Sequence, residues 1–309
     1  MAALKTLTCI ATIVLPLFGG SPHASERHGR EGSPPLLAQA DTLQYEHKFD
    51  EALALLERVL ERDEKMQQAR LMQARILLAQ GRIEAAKESC LALMGKASLT
   101  ISGTCLLEVR GRETFVTRDL EALQQTYQQL QQLHRPRARS GMPENPSAVF
   151  VWQRQLLAEQ AFLLGHFSES AQWLSYATYA QHPTVNQLRL LDSWQAMEQP
   201  SKILATQEGC PRVGSLPEDS IIVRLAAAEQ DLATGQRCWQ KLAAERIAIR
   251  VARADPLHTS DLAYYFIYVQ PDSAKAQLYA EQNYAVAREP ADQRLLAAAQ
   301  QLTEVSHEH

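Results

Sequence analysis

The chain is poor in aromatic residues, 6% of its 309 positions, and lacks the patterns that build sheets. Nowhere do β-branched residues alternate with polar ones between hairpin turns, so strand content should be near zero. An excess of one charge is missing too. The net charge is −4 with a pI near 6.2, without the basic surplus that a nucleic-acid partner requires. Catalytic signatures are absent: there is no Gly-x-Ser-x-Gly elbow, phosphate loop, His-Glu-x-x-His, Gly-rich dinucleotide fingerprint or paired-Cys zinc pattern. Acidic residues sit beside basic ones on expected helix surfaces, as in Glu57, Arg58, Glu61 and Arg62, which describes a solvated face rather than an acid–base pair. The expectation is a non-enzyme without cofactor or metal. His307 and His309 flank Glu308 at the C-terminus, where a frayed end offers no fixed ligand geometry.

Ala, Leu and Gln are abundant, and these side chains lose little rotamer freedom in a helix. The first 25 residues stand apart. Lys5 precedes an apolar run from Thr6 to Phe18, followed by Gly19, Gly20, Ser21 and the small pair Ala24–Ser25. That is the layout of a secretory signal peptide, and the run is shorter than the ~20 residues of a spanning helix. An uncleaved N-terminal anchor is the rival reading, since Pro22 sits where a second small residue is preferred. No other stretch is long and apolar enough to span a bilayer.

Cysteine usage agrees with export. Without Cys9 in the leader, Cys90, Cys105, Cys210 and Cys238 remain, an even set with three possible pairings. Cys90–Cys105 with Cys210–Cys238 joins neighbouring helical segments; alternatively Cys90 is a small buried residue. Each bridge would add on the order of 3 kcal/mol.

A two-helix pattern recurs at a spacing of 34 residues. Leu37 falls on Leu71, Ala40 on Ala74, Leu43 on Leu77 and Phe49 on Ile83. Ala52 falls on Ala86, Leu56 on Cys90, Val59 on Leu93 and Leu60 on Met94. One such hairpin cannot bury its own apolar face, so neighbours must stack. The pattern resembles the tetratricopeptide repeat, also a 34-residue helix hairpin, over residues 36–95. Ala40 and Ala74 match the family's small residue in the first helix, and Ala52 and Ala86 its small residue in the second. Phe49-Asp50-Glu51-Ala52 is close to the family's usual start of that second helix, whereas Leu43 and Leu77 replace its tyrosine.

The resemblance implies an all-α, right-handed superhelical solenoid of antiparallel hairpins. It also implies a concave face, lined by first helices, that takes a protein or peptide. By position that face holds Asp41, Gln44, Tyr45, Arg75, Leu78, Glu159 and Phe162. The expected organisation is a signal peptide at 1–25, a disordered leader at 26–35 and repeats at 36–133. An exposed loop at 134–148, basic at Arg135, Arg137 and Arg139, precedes degenerate repeats at 149–305 that end in a capping helix. Ala158, Ala161, Phe167, Leu174 and Ala177 restart the pattern in that second half. Trp152, Trp173, Trp194 and Trp239 read as packing between hairpins. The functional expectation is an exported scaffold or chaperone for envelope proteins. A membrane-anchored subunit of an assembly or secretion machine and an envelope enzyme with an unrecognised site are the alternatives.

Overall fold

A computed structural model describes residues 33–138, 146–210, 216–232, 235, 237–254 and 259–307. The expected signal peptide, most of the expected leader, Arg139 and much of the basic loop lie outside the described residues. Among those described there are fifteen α-helices and no strand. They pair as α1 (Ser33–Tyr45) with α2 (Phe49–Arg62), α3 (Gln67–Ala79) with α4 (Ile83–Leu91) and α5 (Leu99–Val116) with α6 (Leu120–Ala138). Next come α7 (Ala148–Leu163) with α8 (Phe167–Trp173) and α9 (Thr184–Ala196) with α10 (Pro200–Leu204). Then follow α11 (Asp219–Leu232) with α12 (Cys238–Ala252), α13 (Thr259–Tyr268) with α14 (Ser273–Val286), and a last helix, α15 (Pro290–His307). Each hairpin packs on the next.

One turn is repeated at the first five bends. The second residue after each first helix has a positive φ: His47 (56°), Gly81 (74°), Arg118 (58°), Gly165 (80°) and Glu198 (55°). The next N–H reaches back to a helix carbonyl: Lys48 to Leu43 (2.8 Å), Arg82 to Leu77 (2.8 Å), Asp119 to Thr114 (2.9 Å), His166 to Ala161 (2.8 Å) and Gln199 to Trp194 (2.9 Å). These bonds satisfy carbonyls that the helix end orphans, in the manner of a Schellman cap. Glycine takes the left-handed position without a Cβ clash, yet only two of the five bends use it.

Counting back from these bends aligns the first helices. Ala40, Ala74, Gly111, Ala158 and Leu191 occupy one position, seven residues before the αL residue, and all five are buried or without a side chain to expose. At Gly111 an added Cβ would stand 2.6 Å from the Gln160 amide nitrogen of the next hairpin, so the third repeat needs glycine for close helix approach. The second helices supply Ala52, Ala86, Leu123, Ser170 and Ile203 at their equivalent position, all buried. Ser170 also donates to the Ala158 carbonyl at 2.8 Å, which ties the two helices of its hairpin together.

The shared register brings the apolar echo together in the core. Leu56, Val59, Leu77, Cys90 and Leu93 are buried in one cluster spanning α1 to α7. A second cluster fills α9 to α15, and Ala158, Leu174 and Leu190 join the two. One echo pair separates: Leu60 is buried, whereas Met94 is exposed. The cause is length, because α4 stops at Leu91 and leaves Met94 in the following turns. Cys90 is disulfide-bonded to Cys105, fastening that shortened helix to α5, and Cys210 is bonded to Cys238 at the start of α12. In place of a loop from residue 134, α6 continues to Ala138 and buries His134, whose Nδ1 lies 3.2 Å from the Gln153 side-chain oxygen.

The last helix does more than cover the final hairpin. The Arg288 N–H donates to the Ala79 carbonyl at 2.6 Å, and Ala287 is buried in the N-terminal cluster. Helix α15 starts next to these contacts, and it packs along α13 and α14, with Leu295, Leu296 and Leu302 against the C-terminal cluster. The C-terminal hairpin therefore reaches back along the first helices and closes the stack on itself.

Candidate functional site

The inner face is a ladder of charges set by the repeat. Six residues before the left-handed bend, successive hairpins carry Asp41, Arg75, Arg112, Glu159 and Asp192. Because one repeat position points the same way in each hairpin, the charges meet across hairpin boundaries. Arg112 reaches Glu159 at 3.1 Å. Arg75 reaches Glu108, one turn up α5, at 3.8 Å. Asp192 accepts two bonds from Arg224 on α11, at 2.6 and 3.4 Å. The Arg224 guanidinium also lies 4.5 Å from the Tyr264 ring centre on α13, and the Tyr264 hydroxyl donates to the Gln195 side chain.

The C-terminal strap completes this ladder. Glu289 accepts from Arg112 at 3.3 Å, so one guanidinium joins α5, α7 and the start of α15. Side-chain packing follows the same path, since a Cβ on Gly81 would sit 3.1 Å from the Arg288 Cδ. Asp292 holds the turn by accepting from the Glu289 N–H at 2.9 Å and the Asn283 amide at 2.7 Å.

Burial and charge pull these groups in opposite directions. Burial acts to raise the Glu159 carboxyl, but Arg112, Arg189, Arg294 and Arg75 outweigh it and hold the group below the usual range. Glu108 is raised by burial, against the opposing pull of Arg75 and Arg112 and the bond from the Trp152 indole at 3.1 Å. Asp41 is likewise raised by burial, with Arg75 opposing.

Asp292 is pushed up to about 7, first by burial and then by the neighbouring Glu289 carboxylate. A carboxyl whose folded value lies above its unfolded one stabilises the fold in its protonated form. That contribution is complete below the ordinary value of 3.8 and is lost as pH rises through the folded value. Relative to Asp292→Asn, the wild type should therefore lose stability between about pH 4 and about pH 7. Urea midpoints across that interval check this, and a constant difference between the two proteins contradicts it.

The expected concave-face residues divide into two groups. Asp41, Gln44, Tyr45 and Arg75 lie at the first two hairpins, where Tyr45 is 48% exposed and the Arg75 side chain 43%. Leu78 and Phe162 do not face an open groove, being 4% and 8% exposed. Leu78 is enclosed in the N-terminal cluster that the strap residue Ala287 joins. Phe162 is covered by Arg189 and Arg294, and Glu159 is engaged by Arg112. Arg112, Arg189, Asp192, Arg224 and Arg294 were not singled out by sequence. For Arg112 and Asp192 the available signal was the recurrence of charge six residues before each bend, visible once Arg118 and Glu198 are recognised as bends; Arg189, Arg224 and Arg294 lie outside that register.

The tryptophans act within the fold. Trp152 and Trp239 are buried, and the Trp173 indole donates to the Tyr127 hydroxyl at 2.6 Å.

The first hairpins, with their small residues, repeated turn and stacked order, decide the family comparison. Residues 43–97 match the tetratricopeptide repeat. The match begins inside α1 and ends just before α5, so it covers the two hairpins with the clearest echo. No curated protein is detectably similar to the chain. A tetratricopeptide repeat suggests a protein–protein interaction scaffold, and its family is typically non-enzymatic. Among the described residues no helix is long and apolar enough to cross a membrane.

Proposed function

We propose that the chain is an exported scaffold or chaperone that binds protein partners in the cell envelope, with its docking surface at the first two hairpins. The observation that carries the surface is the contrast along the inner face. Its middle is filled by the chain's own α14–α15 junction, whereas Tyr45 and Arg75 retain about half their exposure. A partner meets there an exposed tyrosine and a partly exposed arginine, both residue types that anchor interfaces. Two disulfides support an oxidising compartment, because reducing cytosol keeps such thiols apart. The signal-like residues 1–25 point the same way.

Two measurements test the proposal. Mass spectrometry of the native protein's N-terminus should find a start near Ser25 or Glu26, and retention of residues 1–25 would move the protein to a membrane-anchored role. Crosslinking in the native envelope should lose its main partners when Tyr45→Ala and Arg75→Ala are combined. An unchanged partner set would reject this docking surface.

A further inference from the structure

Two arginines on the inner wall have no anion of their own. The Arg189 guanidinium on α9 and that of Arg294 on α15 lie 4.7 and 4.2 Å from the centre of the same Phe162 ring. Among the described residues, neither makes an ion pair within 4.0 Å. The nearby carboxylates are already engaged: Glu159 by Arg112 at 3.1 Å and Asp192 by Arg224 at 2.6 Å. The Arg189 Nη1 is buried without a hydrogen-bond partner. Like charges held near one ring repel, and removal from water makes that repulsion more costly. Burial, followed by the Arg189 charge, lowers Arg294 to about 10. Arg189 and Arg294 are each partly exposed, so solvent reaches this part of the wall.

We propose that Arg189 and Arg294 form a binding site for a compact oxyanion, a carboxylate or a phosphate group, beside Phe162. A guanidinium presents parallel N–H donors that match the oxygens of such groups. An anion bound there supplies an acceptor to the buried Arg189 Nη1 and offsets the repulsion between the two cations. Glu159 and Asp192 limit the charge that the site tolerates, favouring a small, concentrated anion over an extended polyanion. The site is separate from the Tyr45–Arg75 surface, so it stands whether or not a partner docks there.

Calorimetric titration of the full chain with inorganic phosphate and with succinate, each against sodium chloride at matched ionic strength, tests the proposal. Saturable binding of at least one oxyanion is expected, weakened tenfold or more by Arg294→Gln and by Arg189→Gln. Arg294→Lys, which keeps the charge but loses the planar fork, should weaken binding less than Arg294→Gln. Tighter phosphate binding identifies a phosphate source, and tighter succinate binding identifies a carboxylate source. Heats that match chloride for both anions overturn the site, as does binding unchanged in the two glutamine variants. Circular dichroism establishes that each variant is folded. If the glutamine variants do not fold, the wild-type titration and Arg294→Lys decide, with affinity unchanged in the lysine variant counting against the site.

Discussion

Arg112→Leu is expected to destabilise the chain by about 3–5 kcal/mol, read from urea unfolding at neutral pH. Arg112 is buried, and it binds Glu159 at 3.1 Å and Glu289 at 3.3 Å. Removing it strands the Glu159 carboxylate, whose side chain is only 18% exposed, and detaches the strap from α5. The penalty comes chiefly from the unpaired buried charge rather than from the lost attraction. Glu289→Gln is the discriminating control. Glu289 is half-exposed, so its loss should cost no more than about 1 kcal/mol. Equal costs for the two variants would show that the strap contact, not the buried pair, dominates.

Replacing Cys90 and Cys105 together by alanine should cost about 3 kcal/mol, and replacing Cys210 and Cys238 slightly more. The crosslinks close loops of 15 and 28 residues by sequence separation, and the entropy removed from the unfolded chain grows slowly with loop length. Their accessibility differs in the opposite sense. Cys90 and Cys105 are both buried, whereas Cys210 is exposed. A mild reductant is therefore expected to open Cys210–Cys238 first, detectable by alkylation and mass spectrometry. Faster labelling at Cys90 would contradict the packing of α4 against α5.

The sequence made the first two hairpins legible because each rule was satisfied by its usual residue. Alanines mark the helix crossings, Gly81 marks a bend, and the apolar spacing follows the helix period. The later repeats keep the geometry while changing the letters. Arg118 and Glu198 adopt the positive φ that Gly81 and Gly165 adopt, and Gly111 serves as the small residue where alanine is usual. Helices α8 and α10 have 7 and 5 residues, too short for a period to stand out. The site was less legible than the fold for a different reason. Asp41, Arg75 and Glu159 were visible as inner-face positions, but their partners come from neighbouring hairpins and from α15. Nothing local to residues 288–294 announces that they fold inward; that placement follows from tertiary packing alone.

The closing of the stack by the C-terminal strap is tested most directly by hydrogen exchange at the Arg288 amide. This N–H donates to the Ala79 carbonyl at 2.6 Å, a bond made only if the C-terminal hairpin reaches the second repeat. Strong protection of that amide in the wild type, reduced in Arg112→Leu, is the predicted result. Exchange at the rate of a solvated linker in the folded wild-type protein would contradict the closed inner face.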